Sequence, residues 1–218
     1  MSSPETHRYR ILFSKVEAMR FTGHLDLHRA WERTFRRAEL PLAYTQGFSP
    51  HPRLQLAAAL PLGILGEAEL LDAWLDQAVE PMVLLERLRA AAPPGIRVSE
   101  LQPADPKELS LQQQVEAAVF QAVPGEPTSA TELESRIARL LSLPSIERER
   151  RGKRYDLRPL ILELVALGPP EESPAVRMTL AARGGATGRP EELIDALDLD
   201  PSSARITRLR LILAQSPS

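Results

Sequence analysis

Apolar periodicity does most to limit what this chain can fold into, because it switches repeatedly between the period of a strand and that of a helix. Tyr9, Ile11 and Phe13 alternate with Arg8 and Arg10, which predicts a strand with one buried face over residues 8–15. Leu27, Ala30, Trp31, Thr34, Phe35 and Ala38 recur every three or four positions and predict an amphipathic helix over 24–39. Gly23 starts it, Asp26 falls in its first turn, and Pro41 stops it. Leu54, Leu56, Ala58 and Leu60 predict a second strand and residues 68–76 a third, with Gly63 and Gly66 as turn residues between them. Pro81, Leu84, Leu85, Leu88 and Ala92 mark a second helix, and Gly95 opens a last strand through Val98. The order is βαββαβ.

The second half repeats that order with little sequence similarity. Residues 114–122 predict a strand, and Thr131 with Glu134 has capping-box spacing before a stripe of Leu133, Ile137, Leu140 and Leu141. Extended segments follow over 145–150, 154–167 and 175–182, then a short helix over 190–197 with Pro190 in its first turn. A last strand carries Ile206, Leu209, Leu211 and Leu213. These patterns predict an α+β protein of two tandem ferredoxin-like (βαββαβ) domains, the second with an extra hairpin near Arg151 and Gly152. The domains are expected over 1–102 and 114–218, joined by a linker, 103–113, that contains Pro103 and Pro106.

The chain of 218 residues has no cysteine, which excludes thiol catalysis, thiolate zinc and any iron–sulfur cluster held by this chain alone. A formal charge of −2 gives no whole-molecule attraction to nucleic acid. That total hides a basic first segment, since residues 1–60 carry nine basic and five acidic side chains. No apolar run approaches a membrane span and the first ten residues are polar, so a cytoplasmic protein without a membrane partner is expected.

Residues before 55 hold most of the chemistry. His24 and His28 are one helical turn apart at the edge of the apolar stripe, and His51 is a third histidine in a loop. The three are candidate ligands of a metal, or candidate acid–base groups near neutral pH. The pattern lacks the glutamate of a metalloprotease helix, and partly buried histidines that hydrogen-bond a neighbouring loop are the plainer reading. Arg29, Arg33 and Arg36 gather on the opposite face and with Arg37 span just over two turns, with Arg20 just before the helix; they suit phosphates or an acidic partner. The loop from Tyr44 to Arg53 combines Tyr44, Gln46, Phe48, Ser49 and His51, a ligand-contacting composition. Equally, Tyr44 and Phe48 can plug the end of the domain.

Two further basic segments lie in the second half. Arg148, Arg150, Arg151, Lys153, Arg154 and Arg158 crowd around Tyr155, and on a hairpin several of them would share one face suited to RNA backbone or to a charged, aggregation-resistant edge. Residues 183–190 are glycine-rich with an arginine at each end of the glycines, but lack the phosphate-loop pattern.

Phe21, Gly23, His24, Leu25, Asp26, Arg36, Arg37, Pro41, Gln46, Gly47, Phe48, Pro50, His51 and Pro52, with weaker matches at 60–63 and 156–160, resemble the signature of the bacterial radical SAM-linked proteins. That resemblance implies a partner: a radical SAM protein carrying the iron–sulfur cluster, S-adenosylmethionine and cobalamin, none of them bound by this chain. The expected role is an accessory, non-catalytic module that binds RNA or another phosphate-bearing substrate, docks the partner enzyme, or both. The alternatives are a metal-independent endoribonuclease using histidine acid–base catalysis and a histidine-ligated metal protein.

Overall fold

β1 (His7–Lys15) is central to the first half of the chain, because it pairs on both sides. The structure, a computed structural model, describes residues 6–150, 152–168 and 174–214. It is a mixed α and β protein that divides into two compact units, Met1–Gln114 and Val115–Ser218. The first unit contains β1, α1 (His24–Arg37), β2 (Leu54–Leu56), β3 (Leu65–Leu75), α2 (Pro81–Ala91), β4 (Ile96–Ala104) and a one-turn helix α3 (Leu111–Gln114). Its sheet is antiparallel in the order β2-β3-β1-β4, with Tyr9 opposite Ala73 and Pro103, and Ile11 opposite Leu71 and Leu101.

One face of that sheet makes the core. Ile11, Phe13, Leu71 and Leu75 are fully buried with Trp31 and Phe35 of α1 and Leu84 and Leu88 of α2. The Phe13 and Trp31 rings meet edge to face at 4.9 Å, an arrangement the ring quadrupoles favour. The helix α1 ends where Glu39 takes a left-handed conformation, two residues before Pro41.

The opposite face explains residues 103–113. β4 continues to Ala104 through Pro103, tolerated because β4 pairs with β1 alone within this unit and a proline on such a strand need not donate outward. The Arg8 guanidinium then donates to the carbonyls of Asp105, Glu108 and Leu109, and Leu111 N–H donates to Gln55. The expected linker is thus part of the first unit, and the division falls between Gln114 and Val115.

The second unit runs β5 (Val115–Val123), α4 (Ala130–Ser142), β6 (Glu147–Arg150), β7 (Lys153–Asp156), β8 (Ile161–Leu167), β9 (Ala175–Arg183), β10 (Ala186–Thr187), α5 (Pro190–Ala196) and β11 (Arg205–Leu213). Its sheet is antiparallel in the order β8-β9-β5-β11, which repeats the neighbour order of the first unit. β6 and β7 form a separate hairpin, and β10 returns along the end of β9.

Three expected boundaries shift for identifiable reasons. The strand over 54–60 stops at Leu56, because the chain turns toward Pro61 and Gly63. The cap of α4 is Ser129, which accepts from Glu132 N–H, so the capping residue lies two positions before Thr131. The extended segment over 154–167 is broken by a 3-10 turn, Arg158–Leu160, at Pro159.

Asp156 anchors the hairpin, accepting from Ile146 N–H at 2.7 Å and Arg158 N–H at 2.9 Å. Those two backbone bonds hold its pKa below the ordinary aspartate range. A depressed carboxylate stabilises the fold above its unfolded pKa, so this anchor is present above about pH 4 and is lost as pH falls through the lower folded value. Asp156→Ala is expected to speed amide exchange at Ile146 and Arg158, measured by hydrogen exchange, whereas Asp156→Asn keeps an acceptor oxygen and most of the protection. No helix among the described residues is long and apolar enough to cross a membrane.

Candidate functional site

The start of α1 is built on a buried cation. Lys15 occupies the core face of β1 with no exposure, and its ammonium donates to the carbonyls of Arg20 at 3.2 Å and Ile64 at 3.1 Å. A buried ammonium is costly unless its protons are bonded, so it ties the turn after β1 to the turn before β3. Gly63 N–H donates to Arg20 O at 3.0 Å and Arg20 Nε returns a bond to Gly63 O at 3.1 Å. Phe21, Leu25 and Leu62 are exposed, at 72%, 70% and 64%. Phe21 and Leu62 adjoin this pinned pair of turns, and Leu25 begins the helix that follows. Arg20 is largely used here, its guanidinium 5.3 Å over the Phe21 ring and 3.6 Å from Glu17.

The 44–53 loop projects. Ala43 O accepts from Arg53 N–H, and Thr45 N–H donates to His51 O while Thr45 Oγ1 accepts from His51 N–H, so the limbs are stapled and the tip is free. Phe48 is fully exposed, Tyr44 is half exposed, and Gln46 and Ser49 are exposed with them. The expectation that Tyr44 and Phe48 plug the domain's end is therefore corrected. Gly47, at φ 131°, sets the bend that turns Phe48 outward. Arg53 serves the scaffold instead, donating to Thr6 and stacking 4.9 Å over Trp74.

The histidines do not assemble a metal centre. Both ring nitrogens of His28 face oxygen, Nε2 at 3.3 Å from Leu54 O and Nδ1 at 3.1 Å from Glu32, so neither presents a lone pair to an ion. His24 is half-buried and His51 exposed. Among the described residues no group of three or more histidine, aspartate or glutamate side chains is arranged to hold a metal. This corrects the ligand set His24, His28 and His51.

Arg29, Arg33, Arg36 and Arg37 all face solvent. Arg29 pairs with Asp26 at 3.3 Å and Arg37 donates to Ala91 O, while Arg33 and Arg36 make no ion pair among the described residues. On the second unit's hairpin, Arg148 lies opposite Tyr155 and Arg150 opposite Lys153, which puts those four on one face. Arg154 pairs with Glu149 on the other face, and Arg151 lies outside the described residues.

Sequence reasoning passed over the most buried charges. Asp72 of β3 has no exposure, pairs with Arg8, and accepts from Arg10 Nε at 3.0 Å. Arg10 reaches on to Glu108 at 3.2 Å. Burial opposes the charge on Arg10, but the hydrogen bond and charge of Asp72, with Glu108 behind them, outweigh it and raise its pKa. The signals were in the sequence: Asp72 interrupts an apolar run, and Lys15 continues the Tyr9, Ile11, Phe13 alternation.

A bacterial family described as an uncharacterised protein conserved in bacteria, DUF2344, matches residues 8–190. The chain belongs to this family. The family match spans β1 to the first residue of α5, and so includes both the start of α1 and the projecting loop. No curated protein matches the chain. Among solved structures it is similar to a candidate glycine cleavage system transcriptional repressor, at 10% identity and a TM-score of 0.27, with 95% of this chain and 98% of that one covered.

Proposed function

We propose that this chain is a non-catalytic accessory module that docks a cobalamin-binding radical SAM protein through the first unit. The observation that carries the reading is the set of exposed apolar side chains, Phe21, Leu62 and Phe48 on turns held by backbone hydrogen bonds and a buried lysine, and Leu25 in the first turn of α1. Large apolar side chains held in water on rigid turns cost solvation and gain nothing until a partner covers them. Aromatic anchors with a polar rim are how protein interfaces concentrate their energy. Arg33 and Arg36 add positive charge that suits an acidic partner surface. The radical SAM identity of the partner comes from the signature at 20–52, and it agrees with a chain that has no cysteine to hold a cluster. The cluster, S-adenosylmethionine and cobalamin would then all belong to the partner. The repeated strand-neighbour order supports reading each unit as a ferredoxin-like βαββαβ domain, the second with an extra hairpin.

Co-purification with a radical SAM protein from the same bacterium tests this. Phe21→Asp with Leu25→Asp is expected to weaken the complex at least about thirtyfold, the loss of a hot spot of roughly 2 kcal/mol. Folding stability should stay within about 0.5 kcal/mol, because both positions are exposed. Undiminished co-purification of the folded double variant would refute the docking face.

A further inference from the structure

The basic hairpin and the glycine-rich turn, 30 residues apart in sequence, line one open cleft of ≈ 650 Å³ in the second unit. That volume is within the roughly 300–1,000 Å³ of small-ligand sites. Arg150 of β6 and Lys153 and Tyr155 of β7 line it together with Gly185, Ala186 and Thr187 of the glycine-rich turn. We propose that this cleft binds the terminal phosphate of a phosphate monoester.

The charge balance at the cleft supports an anion. Of the carboxylates, Asp156 lines the cleft with its Oδ1 turned onto two backbone amides, and Asp195 is 3.4 Å from Arg148. Burial raises the pKa of Glu192, against the charges of Arg150 and Arg148. Arg150 and Lys153 make no ion pair among the described residues and remain to meet a ligand. A guanidinium and an ammonium on one wall are the donors a phosphate dianion takes up best.

The charge of the ligand points to a terminal group. A phosphate monoester approaches a dianion near neutral pH, whereas an internal phosphodiester is a monoanion with a nucleoside on each side. Tyr155 lines the cleft, and its hydroxyl oxygen is buried. Leu160 and Ala186 add apolar wall for the rest of the molecule.

Isothermal titration of the full chain should use inorganic phosphate, adenosine 5′-monophosphate, and two short RNAs identical except for a 5′-phosphate or 5′-hydroxyl. The phosphorylated RNA is expected to bind about tenfold more tightly than its hydroxyl twin, with inorganic phosphate competing, as charge-assisted bonds to one extra group require. Arg150→Gln and Lys153→Gln should each weaken binding about tenfold. Arg154→Gln, on the hairpin's other face, should change nothing. Tighter binding of the mononucleotide would mark a small phosphate ester as the natural ligand; tighter binding of the phosphorylated RNA would mark an RNA end. Equal affinity for the two RNAs, absence of phosphate binding, or an Arg154→Gln defect as large as that of Arg150→Gln would overturn the proposal. The test reads the second unit alone, so it can fail or succeed whatever becomes of the docking face.

Discussion

Asp72→Ala is expected to lose about 3–5 kcal/mol of folding stability, the cost of removing one partner from a buried ion pair. Its carboxylate has no exposure, and its first partner, Arg8, is nearly as buried. Without Asp72, Arg8 keeps the carbonyls of Asp105, Glu108 and Leu109 but has no countercharge in a low-dielectric setting. Glu108 cannot substitute, because it is partly solvated and bonds Arg10 at the rim, where an ion pair contributes at most about 1 kcal/mol. Urea denaturation should therefore show a large fall in midpoint for Asp72→Ala and a small one for Glu108→Ala. Equal falls would mean that the rim pair, not the buried one, fastens the segment after β4.

Trp31→Ala should be similarly severe, at about 3–5 kcal/mol, since it empties the space between α1 and β1. Trp31 has no exposure and touches both Phe13 and Phe35. Its indole N–H is buried without a hydrogen-bond partner among the described residues, so the polar atom contributes little to holding the ring. Trp31→Phe should then cost less than about 2 kcal/mol, a volume loss with no polar bond broken. Phe48→Ala, by contrast, should leave stability within about 0.5 kcal/mol, because that ring is fully exposed. Thermal or urea unfolding of the three variants separates an aromatic that builds the core from one that stands in water.

The contrast also shows what periodicity can and cannot reveal. Alternation in β1 and the stripe of α1 located the core correctly, because burial selects residue type directly at Ile11, Phe13, Trp31 and Phe35. That residues 44–53 form a loop was recognisable by composition. Its direction was not, since a phenylalanine reads the same whether it plugs a core or stands in water, and only the stapling of Thr45 to His51 decides between them. The metal reading failed for a similar reason: helical spacing aligned His24 with His28 but could not foresee Leu54 O and Glu32 occupying the His28 nitrogens. The hairpin's shared cationic face followed from strand alternation, except for Arg154, whose side depends on a register the sequence does not encode. Residues 103–113 were misjudged because two prolines suggest a linker, while the carbonyls that Arg8 requires come from far along the chain.

Hydrogen exchange on the chain alone and in complex with a radical SAM protein measures the central claim most directly. Docking through the first unit predicts slowed exchange at residues 20–26 and 44–53 on complex formation, with the amides of β6 and β7 unchanged. A stable complex that leaves 20–26 and 44–53 unprotected, or the failure of any complex to form at micromolar concentrations of both proteins, would contradict it.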